Sequence, residues 1–195
     1  MRKTLLVLTM LMAVPFIGVA QCTESCSTPC EKSDKMQCEK AQKINWMSFE
    51  EAVKLNETAP KKIFIDVFTD WCGWCKRMDQ TTFINKDVVE YMNENFYAVK
   101  FDAEQSDTIV FAGYTFVNQG GTNGRKGTHQ LAAALLQGKM SFPSYVFMNE
   151  KNQLLTVAPG YMDSSRFLPI LKYFGTDAYL NMKYEDFIKQ DSEKH

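Results

Sequence analysis

The sequence predicts an α/β fold, a central mixed sheet with helices on both faces, and three observations carry that prediction. Residues 63–68 are β-branched or aromatic except for Asp66, and such a run reads as a strand buried on both faces. Asn85 caps a helical stretch over 87–93 that turns Val88, Val89 and Met92 inward, and residues 96–101 then alternate as a strand. Strand, helix, strand in that order imply a right-handed crossover and parallel pairing. Farther on, Ser144–Met148 and residues 153–157 flank the turn-forming Asn149, Glu150, Lys151 and Asn152, which predicts an antiparallel hairpin.

Taken in order, the chain opens on a segment that reads as a secretory signal. Arg2 and Lys3 form a positive start, an apolar run containing Pro15 follows, and Gly18, Val19 and Ala20 offer small residues for cleavage before Gln21. The run is short for a membrane span, which needs about 20 residues. Residues 1–20 are therefore expected to direct export, with the periplasm as destination. Lipidation at Cys22 is disfavoured by Gln21, where a lipid signal carries a small residue. Residues 21–43 are polar, hold Cys22, Cys26, Cys30 and Cys38, and have almost nothing apolar to bury. Internal disulfides, a soft-metal site and an auxiliary redox relay are all compatible with these four cysteines.

The folded domain is expected over 44–195, and 45% hydrophobic content supplies one core. Ser48 with Glu51 forms a capping box opening a helix through Asn56, with Phe49, Ala52, Val53 and Leu55 toward the core. Residues 109–111 and 114–117 flank Ala112 and Gly113, as in a short hairpin. The glycine-rich stretch 118–127 lacks the GK[ST] ending of a phosphate loop, which excludes nucleotide binding and leaves a mobile turn. Thr128 is placed to cap a helix over 129–137 ended by Gly138, and His129 reads as a surface histidine with no role. Asp163 caps a helix reaching Phe174, with Pro169 as a kink and Gly175 as its end. One more short helix is expected over 179–188. Formal net charge is −1, moving to −3 once Arg2 and Lys3 leave with the signal, and no basic patch points to nucleic acid.

Chemistry concentrates in Trp71, Cys72, Gly73, Trp74, Cys75 and Lys76. A turn at Thr69 and Asp70 brings Cys72 to a helix start, where free N–H groups and the helix dipole stabilise a thiolate. An exposed Cys72 could attack a disulfide, and Cys75, one turn on, could resolve the mixed disulfide. Desolvation should raise the pKa of Asp66 inside its apolar strand, so that it can exchange a proton with Cys75; the alternative is a structural carboxyl bonded to backbone. A CxxC alone could also be half of a zinc site, but a zinc ribbon would add a second CxxC or a CxxH, and the chain has neither.

An apolar strand with an internal Asp followed by WCxxCK resembles the thioredoxin family. The run Ser141, Phe142, Pro143, Ser144 is similar to that family's cis-proline loop, and WCGWCK with the 102–140 insert looks like exported thioredoxin-like proteins of the Bacteroidetes type. The resemblance covers residues 44–190. It implies a thioredoxin-like fold with an insert before the cis-proline strand, and thiol–disulfide exchange on protein substrates. Cys72 would be nucleophile, Cys75 resolver and Asp66 proton relay, with Trp71, Trp74, Phe142 and Pro143 bordering the substrate. No metal or organic cofactor is implied, and since nothing in the sequence looks like a dimerisation domain a monomer is expected. Asp66 and the apolar Phe142 resemble the reducing branch, which would require a membrane electron donor. A binding, chaperone or metal-scavenging module working through the leader cysteines, and a disulfide oxidase or isomerase, stand as alternatives.

Overall fold

The computed structural model describes residues 43–121 and 126–193. The expected signal at 1–20, and Cys22, Cys26, Cys30 and Cys38, lie outside the described residues.

A five-stranded sheet runs in the order β1 (Trp46–Met47), β3 (Phe96–Asp102), β2 (Lys62–Phe68), β6 (Ser144–Met148) and β7 (Leu154–Pro159). Strand β2 lies at the centre because both of its faces are apolar. Ile63, Phe64, Ile65 and Val67 are completely buried, each contributing about 1.5–3 kcal/mol of burial. It pairs parallel with β3 and antiparallel with β6, so the sheet is mixed. Ile63, Ile65 and Val67 face α1 (Phe49–Thr58) and α4 (Gln130–Leu135), while Phe64 faces α2 (Gly73–Gln80), α3 (Lys86–Asn95) and α5 (Ser164–Gly175). Odd and even positions of one strand thus bind the two helical layers.

Local signals placed most ends. The Ser48–Glu51 capping box is formed in both directions, and Asn85 accepts from the N–H groups of Asp87 and Val88. In α1 the inward face differs from the expectation: Leu55 is 43% exposed and Asn56 is buried. The Asn56 amide donates to Glu150 O and Asn152 Oδ1 and accepts from the Lys61 N–H. It ties the end of α1 to the turn between β6 and β7, and a leucine there could make none of these bonds.

The insert folds as a hairpin, β4 (Ile109–Phe111) with β5 (Tyr114–Phe116), followed by α4. Ala112 and Gly113 both take positive φ, 51° and 81°, as a two-residue turn joining twisted strands requires. His129, not Thr128, caps α4: its Nδ1 accepts from Leu131 N–H, and its Nε2 lies 2.8 Å from Asp107 O. The ring is fully buried against Phe101, so it is a core residue where a surface one was expected. Residues 122–125 of the glycine-rich stretch lie outside the described residues. Its flanks are anchored, since the Asn118 amide donates to Glu104 O, Gln105 O and Gly127 O.

Pro169 sits inside α5, and the helix continues past it to Gly175. The tail forms a short 3-10 turn at Ala178–Leu180 and then α6 (Tyr184–Ser192), two pieces where one helix was expected.

Candidate functional site

At the C-terminal end of β2 the chain leaves the sheet through Thr69 and Asp70 and enters α2 at Cys72. Cys72 is the N-cap: its N–H donates to Thr69 O, and its Sγ accepts from the Cys75 N–H at 3.1 Å. A sulfur in that place meets an unpaired helix donor and the positive end of the helix dipole, the two features that stabilise a thiolate. Cys72 and Cys75 are joined in a disulfide, with Cα atoms 5.3 Å apart. Cys72 is 5% exposed and Cys75 2%. The nucleophile candidate is therefore covered in the oxidised state, where an exposed one was expected.

The Phe142–Pro143 peptide bond is cis. The register pairs Val67 with Ser144, setting Pro143 beside the turn that carries the CxxC. Pro143 O accepts from the Gly160 N–H at 2.8 Å, which fixes the start of β6 against the end of β7. Trp71 is 66% exposed and meets Phe142 edge-on at 5.8 Å, while its Nε1–H donates to Glu104 Oε1. Trp74 is 59% exposed and leans on Tyr161 at 5.3 Å, and the Arg77 guanidinium lies over the other part of that contact, 5.9 Å from the Tyr161 ring. The rim is thus two aromatic pairs, one on each side of the cysteines. On the Trp71 side Lys126 pairs with Asp70 at 3.1 Å, so the insert reaches the rim.

Behind the cysteines, Asp66 is 1% exposed. Burial pushes its carboxyl up to about 6, opposed by the Lys100 ammonium and reinforced by Asp79. Lys100 Nζ lies 2.7 Å from Asp66 Oδ2 and also pairs with Asp79 Oδ1. The other Asp66 oxygen, Oδ1, takes no hydrogen bond from the protein, and neither do the Tyr145 hydroxyl and Thr69 Oγ1. Tyr145 stands directly opposite Asp66 in the β2–β6 register; burial and the nearby Asp66 charge raise its pKa further.

Of the seven residues read from the sequence, Cys72, Cys75, Trp71, Trp74, Phe142 and Pro143 meet at one end of the sheet. Asp66 lies on the sheet face beneath α2. Sequence reasoning passed over Lys100, Asp79, Glu104 and Tyr161. Lys100 had a signal: in 96–101 it shares its strand face with Phe96 and Ala98, so it is a cation at an inward position opposite Asp66. Glu104 and Tyr161 had none, because their roles depend on loop conformation. Among the described residues, no group of three or more His, Cys, Asp or Glu side chains is placed to hold a metal ion.

The profile of the family described as "Thioredox_DsbH: Protein of unknown function, DUF255" matches residues 28–168. An uncharacterized protein of Archaeoglobus fulgidus is 34% identical over 65 residues, 33% of this chain and 51% of that protein. The chain thus spans about half the length of that relative. A thioredoxin-fold protein from Helicobacter pylori superposes with a TM-score of 0.54 at 20% identity, covering 77% of this chain and 90% of its own. A DsbH oxidoreductase superposes at 0.50 with 16% identity, covering 75% and 92%; at such identities the likeness speaks for the fold. The family match runs from the residues before β1 into α5 and takes in the disulfide, Asp66 and the Phe142–Pro143 bond, so the chain belongs to the Thioredox_DsbH (DUF255) family and has the thioredoxin fold.

Proposed function

We propose that the protein is an extracytoplasmic thiol–disulfide oxidoreductase that reduces protein disulfides, exported by residues 1–20 and working as a monomer. The observation that carries this reading is Cys72 at the cap of α2, its sulfur on the Cys75 N–H and its partner cysteine one turn away. In the reduced protein the Cys72 thiolate attacks a substrate disulfide. A Cys72–substrate S–S bond forms, and one substrate sulfur leaves as thiolate. Cys75 then gives its proton to Asp66 and attacks Cys72 Sγ. The Cys72–Cys75 disulfide forms, the second substrate thiolate leaves, and the proton held by Asp66 passes on to solvent or product. Trp71 with Phe142 and Trp74 with Tyr161 flank an extended substrate segment lying along Phe142–Pro143. A membrane electron donor restores the dithiol.

The test uses the signal-free protein with insulin as substrate and dithiothreitol as reductant. Cys72→Ser is expected to lose all catalysed reduction. Cys75→Ser is expected to accumulate mixed disulfides that mass spectrometry finds on residue 72. Equilibration with thiol buffers then fixes direction: a potential near about −270 mV supports the reductase, and one near about −120 mV makes the protein a disulfide donor. Full activity in Cys72→Ser would end the reading.

A further inference from the structure

Lys100 is one cation set between two carboxylates. Its Nζ pairs with Asp66, 2% exposed at the side chain, and with Asp79, which is 42% exposed. Three aromatic rings close round the same ammonium, Trp46 at 5.0 Å, Phe68 at 5.1 Å and Phe83 at 5.3 Å, so little else can neutralise it there. Asp79 belongs to α2 and comes four residues after Cys75, which places both on one stripe of that helix. The groups whose placement about Asp66 is fixed are Lys100 on β3, paired with it, Asp79 on α2, whose charge acts on it, and Tyr145, opposite it on β6. Of these only Lys100 is a cation.

Charge counting then separates two states. With both carboxylates ionised the cluster carries one excess negative charge, and Asp66 is the buried one of the two. With a proton on Asp66 it is neutral, because Asp79 still balances Lys100. Were Asp79 absent, Lys100 would belong to Asp66 alone and would favour its ionised form more strongly, leaving burial alone to hold the proton there. Asp79 is the exposed end of the chain Asp66–Lys100–Asp79.

We propose that Asp79 is a positioning residue for the resolving step: by sharing Lys100 with Asp66 it leaves the cluster one positive charge short, so that the Asp66 carboxylate more readily takes up and holds the proton that Cys75 releases. This rests on the reading of Asp66 as the group that exchanges a proton with Cys75. Asp79 touches neither sulfur and acts only through Lys100. The direction of its effect agrees with the electrostatics at Asp66, where the Asp79 charge acts against ionisation.

The experiment follows the Asp66 carboxyl carbon by NMR across a pH titration of the oxidised, signal-free protein, in which no thiol titrates at the CxxC. Asp79→Asn is expected to move the Asp66 midpoint down by about one pH unit, and Asp79→Glu to restore it. The pH profile of insulin reduction should move in the same direction in Asp79→Asn. An Asp66 midpoint that stays where it was in Asp79→Asn overturns the proposal, as does an equal fall in Asp79→Glu, which would make the effect one of shape instead of charge. Asp66→Asn separates the two claims: if it reduces insulin at the unaltered rate, the relay reading fails, while the coupling is still decided by the NMR midpoint.

Discussion

Asp66 costs the oxidised fold stability whenever it is ionised. Its carboxyl titrates near 6 in the folded chain against 3.8 as reference, so over that interval the folded state binds more protons than the unfolded one and stability falls as pH rises. Below 3.8 the group is protonated in both states and contributes nothing; above about 6 the penalty is complete, about 3 kcal/mol at 1.36 kcal/mol per pH unit. Asp66→Asn is therefore expected to stabilise the oxidised protein by about 2–3 kcal/mol at pH 8 and hardly at all at pH 4, measured by denaturant unfolding at both values. Lys100 does not become an orphan in that variant, since Asp79 remains on it. A buried carboxyl that destabilises its own fold is understandable where its proton has a use.

At the scale of elements, the tight turn of β4–β5 holds a residue at odds with its conformation. Ala112 sits at φ 51°, a region that costs a residue with a Cβ about 1–2 kcal/mol. Ala112→Gly should accordingly raise thermal stability, by up to about 1 kcal/mol once the greater freedom of glycine in the unfolded chain is discounted. A fall in Tm would show that the methyl group has a packing role. The hairpin itself was legible, because apolar residues flank Ala112 and Gly113, and so were the caps at Ser48, Asn85 and Asp163, whose side chains reach only two or three residues onward. What escaped was long-range. Asn56 is buried because Glu150 and Asn152 come to meet it, His129 because Asp107 O does, and Lys62 because it finds Glu150 and Asp177. None of these partners is near in sequence, and a polar residue read alone is assigned to the surface. The cysteines, Asp66 and Phe142–Pro143 could be read because the first two break a local pattern and the last carries a family mark. The rim partners Glu104 and Tyr161 belong to loops whose course no periodicity fixes.

Taken as a whole, the molecule roots the insert after β3 in its core and brings only the insert's tip to the rim of the site. The excursion that leaves β3 comes back to where it started: the His129 N–H donates to Ala103 O at 2.8 Å, and the Ala103 N–H donates to Phe68 O. Most of it is committed to the core, since Ile109 is buried with Phe49 and Leu131, and Phe111 and Phe116 pack on them. The tip beyond Asn118 is different. One amide side chain bonds the carbonyls at its base and at Gly127, and Gly127 is obligatory there, because a Cβ would lie 2.4 Å from Asn118 Oδ1. Replacing residues 119–126 by an unrelated sequence of equal length, with Asn118 and Gly127 kept, is expected to leave the denaturation midpoint within about 0.5 kcal/mol of the original and to change which protein disulfides are reduced fastest, measured by competition between substrates. A collapse of stability would mean that the tip is part of the core. For an engineer the Asn118–Gly127 clasp is a ready-made graft point: a binding peptide inserted there would be carried at the doorstep of the Cys72–Cys75 disulfide, and the proposed oxidoreductase could be given a chosen client without altering its cysteines.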